Sequence, residues 1–287
     1  MKNIALITGV NGFVGPYLRK ELESDEYDVY GFDLNAGNKV FRCDITDFNS
    51  VFSVIKELKP DVIFHLAAFS SVGKSFEDPK KCFDVNVLGT KNLLDAVMKC
   101  GIRPKILIVS SSEIYGVPVY LPIDEVHPLN PVSPYGMSRL EQERLCKNYD
   151  LPIIIVRSFN HTGENQPETF VIPSFKKQVM DAKEGDTIYV GDIDVVRDFS
   201  DVKDVVKAYV ALVEKGVIGE VYNVGSGNRY LLRDILYAFI KKSGKNLKIE
   251  TDPSKYRKAE IKEQVCNPKK LHTIYPHEFK KMSWSLS

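Results

Sequence analysis

The chain has 287 residues, 44% hydrophobic and 27% charged, with a formal net charge of +1. This composition suits one main globular domain with a smaller lobe and excludes disordered, collagen-like and coiled-coil chains. Residues 241 to 287 carry 12 Lys and Arg against 5 Asp and Glu, a bias that suits a phosphorylated ligand or plain solvation; without interleaved aromatics it does not favour nucleic acid. No apolar run approaches the roughly 18 residues of a membrane span, and no signal-peptide pattern follows Met1. The five cysteines and five histidines have no disulfide or metal-site spacing. The expectation is a cytoplasmic protein with reduced thiols, no metal and no membrane partner.

Ile4-Ala5-Leu6-Ile7 reads as the first strand and runs into Thr8-Gly9-Val10-Asn11-Gly12-Phe13-Val14-Gly15, after which residues 17 to 22 look helical. Strand, glycine loop and helix in that order suit a pyrophosphate, because bare backbone approaches it closely and the helix N-terminus faces its charge. A second strand over residues 27 to 32 ends at Asp33, 18 residues beyond Gly15. A carboxylate there accepts hydrogen bonds from ribose hydroxyls and repels a 2'-phosphate, which favours NAD. Taken singly, the glycines are turn formers and Asp33 a solvated strand end; their order and spacing carry the assignment.

Val62-Ile63-Phe64, Ile106-Leu107-Ile108-Val109 and Ile153-Ile154-Ile155-Val156 are further apolar runs, alternating with helical patterns such as Phe83, Val87, Leu94 and Val97. Strands buried on both faces and alternating with helices give an α/β fold, a doubly wound parallel sheet. Ser110-Ser111-Ser112-Glu113 follows one strand, so hydroxyls and a carboxylate collect at its carboxyl end, where open α/β sheets bind ligands. Pro134 opens a helix on which Tyr135 and Arg139 share a face. A cation beside a phenol favours its ionised form and fits it for proton transfer, although the same pair is also an ordinary amphipathic-helix neighbour.

After Phe159 the rhythm changes. Residues 160 to 167 are loop-like, Pro173, Gly185 and Gly191 interrupt short segments, residues 201 to 214 read as a helix, and residues 221 to 224 as a strand returning to the sheet. The expected layout is a dinucleotide-binding domain over 1–159, with 194–225 returning to it, interleaved with a smaller substrate lobe over 160–193 and 226–287.

With its Gly-x-x-Gly-x-x-Gly spacing, Asp44-Ile45, His65-Leu66-Ala67-Ala68 and Asn86, the chain resembles the extended short-chain dehydrogenase/reductase family over most of its length. The resemblance implies a Rossmann-like fold that binds NAD, as NADH or alternatively NADPH, through Gly9, Gly12, Phe13, Val14, Gly15, Asp33, Asp44, Ile45, Leu66, Ala67, Ala68, Tyr135 and Arg139. Tyr135 would donate the proton and Ser111 would hold the substrate oxygen, with Ser110 or Ser112 serving instead if the register shifts by one. Asn86 would support the active-site helix or simply sit in its own. Arg139 stands where the family pattern has lysine, and arginine is longer, planar and differently hydrated. That departure puts activity in question and keeps a catalytically lapsed NAD-binding sensor or scaffold as the alternative class.

Residues 157 to 163 with Gln166, residues 170 to 173, and Arg197-Asp198-Phe199 are similar to the GDP-4-keto-6-deoxy-mannose reductases of that family. Glu164 departs from the proline usual there. This implies reduction of a GDP-linked 4-keto sugar to GDP-D-rhamnose, with Asn160 on the sugar, Val171 and Lys176 near the nucleotide and Arg197 on the diphosphate. Ser111, Ser112 and Glu113 would face the sugar. Glu113, placed where related dehydratases use a carboxylate, leaves a 4,6-dehydratase or 4-epimerase open. A homodimer through the helices near residues 86 to 100 and Pro134 is implied in the same way.

Overall fold

A computed structural model describes residues 2–256, 261–284 and 286. Six strands come first, β1 (Ile4–Thr8), β2 (Asp28–Asp33), β3 (Val40–Arg42), β4 (Val62–His65), β5 (Lys105–Ser111) and β6 (Ile153–Ser158). Among them lie α1 (Gly15–Ser24), α2 (Phe48–Leu58), α3 (Val72–Glu77), α4 (Pro79–Phe83), α5 (Gly89–Lys99) and α6 (Pro134–Cys146). The chain continues through β7 (Asn160–Thr162), α7 (Val171–Asp181), β8 (Thr187–Val190), β9 (Val196–Arg197), β10 (Phe199–Asp201) and α8 (Val202–Lys215). It then forms β11 (Val221–Val224), β12 (Tyr230–Leu231), α9 (Leu232–Ser243), β13 (Lys248–Thr251), β14 (Glu263–Gln264) and α10 (Lys269–His272).

Seven strands make one parallel sheet in the order β11-β6-β5-β4-β1-β2-β3. The winding reverses between β1 and β4, and a crevice opens at their carboxyl ends. Strand side chains alternate between two cores: Ala5, Ile7, Phe64, Leu107 and Val156 pack with α1 and α8, while Leu6, Ile63, Ile106, Ile108 and Ile155 pack with α2 and α5. That period of two, apolar on both faces, is why these runs read as continuous hydrophobic segments.

A third core gathers Ile172, Phe175 and Val179 of α7, Ile188 and Val190 of β8, and Ile235, Leu236 and Phe239 of α9. Small sheets border it, β13 with β8, β12-β9-β14, and β10 with β7. The C-terminal segment crosses between cores: Phe279 joins the α1/α8 side, and Trp284 packs edge-on against Phe199, Tyr230 and Phe239. Its backbone is pinned on the way, Lys280 N–H to Asp204 Oδ2 at 2.9 Å and Met282 N–H to the Tyr230 hydroxyl at 2.9 Å.

Three local expectations change. Residues 160 to 162 form a strand because Phe199–Asp201 supplies a parallel partner, a pairing no local pattern shows. Pro173 does not interrupt its segment; it lies in the first turn of α7, where its missing N–H costs nothing. The helix expected from residue 201 begins at Val202, with the Asp201 carboxylate capping it by accepting from Lys203 N–H at 2.8 Å. Among the described residues no helix is long and apolar enough to cross a membrane and no group of three metal-ligating side chains occurs. The five thiols are free, and burial pushes those of Cys43 and Cys146 up to about 12.

Candidate active site

A cleft of about 1500 Å³ runs across the carboxyl ends of the central strands. Its first stretch is the loop between β1 and α1. Gly9 has φ of +69°, and a Cβ there would stand 2.8 Å from Ala67 Cα across the β1/β4 crevice. At Gly15 a Cβ would stand 2.1 Å from the Val10 carbonyl oxygen, so this glycine lets α1 pack onto the loop. At Gly12 a Cβ would stand 3.1 Å from Gly9 O, a tight approach that keeps side chains off this part of the loop. Asp33 at the end of β2 ties the loop down, accepting from Asn11 N–H at 3.0 Å and Leu34 N–H at 2.7 Å. Asp44 accepts from Thr46 N–H and Oγ1, and Asn92 Nδ2 donates to Ile45 O, holding the neighbouring turn. The bare glycine backbone and the adjacent carboxylate fit a dinucleotide.

In the middle of the cleft β5 delivers Ser111 and α6 delivers Tyr135 and Arg139. Hydrogen bonds distinguish the three serines. Ser110 Oγ donates to Glu143 Oε1 at 2.6 Å and Ser112 Oγ donates to Gln264 Oε1 at 3.1 Å. Ser111 Oγ instead accepts from Glu113 N–H at 3.2 Å, which leaves its own proton for the cleft. Behind the serines, the buried Arg157–Glu143 ion pair, 2.8 Å at Nη2–Oε2, is completed by the Tyr115 hydroxyl and fixes β6 against α6.

Arg139, only 4% exposed, donates through Nε to the Tyr135 hydroxyl at 3.3 Å and places its guanidinium 5.3 Å from that ring's centre. Nη1 donates to Val109 O and Gln142 Oε1, each at 2.9 Å. The side chain is thus fastened at three points. Asn86 is buried in a single π-helical turn between α4 and α5, receiving Phe69 N–H on Oδ1 and donating from Nδ2 to Ser138 Oγ at 2.9 Å. It braces α6 one turn past Tyr135. His65 is buried beneath this region, and burial together with the nearby Arg139 charge pulls it down to about 3.

The far end of the cleft is walled by residues 158 to 161, Gln166, Phe170, Val171 and residues 254 to 256. Asn160 Nδ2 is buried with no hydrogen-bond partner among the described residues, so it has a donor to spare at this end of the cleft. His161 stacks on Phe13 of the glycine loop, centroids 6.0 Å apart and planes 7° apart, so the two ends touch. Glu164 keeps its loop in place with its carbonyl, which accepts from the Tyr17 hydroxyl at 2.8 Å.

Every residue expected in the cofactor and catalytic sets lines this one cleft, as do Ser112, Asn160 and Val171. Lys176 and Arg197 do not. Lys176 lies five residues past Val171, about 140° around α7 from it, and Arg197 is 5% exposed on the central strand of the β12-β9-β14 sheet with Nη1 donating to Val196 O. Sequence reasoning missed Tyr209, whose hydroxyl meets Ser158 Oγ at 2.5 Å in the cleft. Its spacing from Val202, Val205 and Val206 marks it only as core. It also missed Lys255 and Tyr256, which carry no motif.

A family model described as GDP-mannose 4,6 dehydratase matches residues 6–280. The chain is 34% identical to GDP-6-deoxy-D-mannose reductase of Pseudomonas aeruginosa, covering 93% of this chain and 88% of that one. Among solved structures it is similar to RMD from Pseudomonas aeruginosa complexed with NADPH, at a TM-score of 0.87 and 32% identity over 98% of this chain and 95% of that chain. It is also similar to UDP-glucose 4-epimerase of Thermus thermophilus in complex with NAD, at a TM-score of 0.84 and 30% identity over 94% and 92% of the two chains.

Proposed function

The chain belongs to the GDP-mannose 4,6-dehydratase family of extended short-chain dehydrogenases/reductases, and from that premise we propose that it reduces the 4-keto group of GDP-4-keto-6-deoxy-D-mannose to give GDP-D-rhamnose. The nicotinamide cofactor, when bound, supplies the hydride that adds to carbon 4. Residues 9 to 15 would hold its pyrophosphate and Asp33 its adenosine ribose, with NADH favoured over NADPH by that carboxylate. Tyr135 gives its hydroxyl proton to the oxygen on carbon 4 as charge develops there, and Ser111 donates a hydrogen bond to the same oxygen. The guanidinium of Arg139 stabilises the negative charge left on the phenol oxygen. Solvent then returns the proton to Tyr135. Asn160 Nδ2 donates to the sugar.

The observation that carries this reading is the Tyr135–Arg139 hydrogen bond inside a cleft that also holds the glycine loop and Ser111. A lapsed site has no need to keep it. Glu113 lines the same cleft, and it supports a second reading as a 4,6-dehydratase, in which a carboxylate takes the proton from carbon 5. Adding the keto sugar to protein and NADH or NADPH separates the two: reduction consumes cofactor absorbance in step with product, whereas a dehydratase or epimerase converts its sugar with no net change. Product formation from GDP-mannose without cofactor consumption would overturn the reductase reading.

Residues 1–159 with 194–225 serve the cofactor in this proposal, and residues 160–193 and 226–287 serve the nucleotide sugar. Leu88, Met98 and Met137, exposed on the turn before α5, on α5 and on α6, support a homodimer through these helices. Five thiols outside any disulfide fit a cytoplasmic setting.

A further inference from the structure

We propose that Gln142 is a positioning residue for the proton-transfer step, holding the Arg139 guanidinium against the Tyr135 phenol. This rests on the reading of Tyr135 as proton donor. Gln142 is fully buried on α6, three residues beyond Arg139. Its amide has one allowed orientation. A guanidinium carries only donors, so Oε1 must face Arg139 Nη1 at 2.9 Å, and Nε2 is left to donate to Thr90 Oγ1 at 2.8 Å.

The order propagates from there. Thr90 spends its only proton on the Asn86 carbonyl at 2.7 Å, so its oxygen accepts from both Gln142 Nε2 and His65 Nε2, the latter at 2.9 Å. His65 is therefore the Nε2–H tautomer. Its Nδ1 accepts from Thr8 Oγ1 at 2.7 Å, and Thr8 Oγ1 accepts from Ala67 N–H at 3.0 Å. The catalytic guanidinium and the cofactor-lining backbone at Ala67 are thus the two ends of one buried chain in which every donor and acceptor is set by its neighbour.

Arginine in the usual lysine position fits this chain. The Arg139 fork reaches three acceptors at once, Tyr135 Oη, Val109 O and Gln142 Oε1, whereas an ammonium is a single point of charge. Gln142 keeps the fork from turning, so that Nε stays on the phenol.

The test compares the whole protein with Gln142→Met and Gln142→Glu, following keto-sugar reduction, NADPH affinity and the Arg139 Nε–H resonance, assigned by its loss in Arg139→Lys. In Gln142→Met we expect kcat to fall roughly 100-fold with KM within about threefold, and the Nε–H to exchange faster. Gln142→Glu keeps an acceptor for Nη1, and once the Thr90 hydroxyl turns its proton from the Asn86 carbonyl to the second carboxylate oxygen it should recover most of the rate and the slow exchange. Unchanged kcat in Gln142→Met, or equal loss in both variants at matched thermal stability, overturns the proposal. If Gln142→Met does not fold, Gln142→Glu decides: a retained rate and a protected Nε–H support the role, and loss of both refutes it. Absence of turnover in the parent protein would sink the substrate reading instead, while the Nε–H comparison still reads the positioning.

Discussion

The two ends of the cleft are built from different material. The end proposed for the dinucleotide is mostly backbone from short stretches at the carboxyl ends of β1 and β4, with Gly9 pressed against Ala67. The end proposed for the sugar is mostly side chains, Asn160, Phe170, Val171 and Tyr256, drawn from β7, the start of α7 and the segment after β13. Backbone recognition suits an invariant pyrophosphate, whereas side-chain recognition lets one scaffold take different sugars. Tyr135 and Arg139 stand where the two meet, and the buried chain from Gln142 to Ala67 joins them to the cofactor end.

Substitutions can separate the parts. Tyr135→Phe removes the proton and keeps the ring, so kcat for reduction should fall about 10²- to 10⁴-fold while calorimetry shows NADPH and GDP-sugar binding little changed; a retained rate would assign the proton elsewhere. Gly9→Ala strikes the cofactor end alone. Its positive φ and the 2.8 Å approach to Ala67 Cα should cost about 1–3 kcal/mol, seen as a lower midpoint in urea and weaker NADPH binding. Asn160→Ala strikes the sugar end alone, and loss of one hydrogen bond to the sugar should raise KM about tenfold, near 1.4 kcal/mol, with NADPH affinity unmoved. Equal effects on both ligands would mean that the ends are not independent.

The last effect tests what joins the ends. His65 is held neutral in the fold, down to about 3, against an ordinary value near 6.5. Below about pH 6.5 the unfolded chain therefore binds a proton that the folded chain refuses. Stability should drop by up to about 1.4 kcal/mol per pH unit as pH falls from 6.5 toward 3. Thermal unfolding between pH 7 and 5 reads this slope, and His65→Gln should flatten it; an unchanged slope would show that His65 does not carry it.

How much of this the sequence discloses follows the same division. The glycine loop, Asp33, the serine cluster and Tyr135 with Arg139 are local patterns, each within a few residues, and short-range geometry makes them readable. The resemblance picks Ser111 with Ser110 or Ser112 as alternatives, but the bonds that engage its two neighbours are not readable, because they come from Glu143 and Gln264, the latter 152 residues from Ser112. Tyr209 hides inside an apolar helical period. Lys176 and Arg197 lie outside the cleft lining, and a charged residue in a matching motif says nothing about which way its helix face or sheet turns it. Gln142 looks like any helix-forming polar residue until its burial and its two partners are seen.

Hydride delivery from cofactor to sugar is the central claim, and isotope transfer tests it most directly. NADPH or NADH carrying two deuteriums at nicotinamide carbon 4 is incubated with the protein and the 4-keto sugar, and the product is weighed by mass spectrometry. One deuterium at sugar carbon 4, released with equimolar oxidised cofactor, is the expected result. An unlabelled product, or a sugar left unreduced beside intact cofactor, would contradict it.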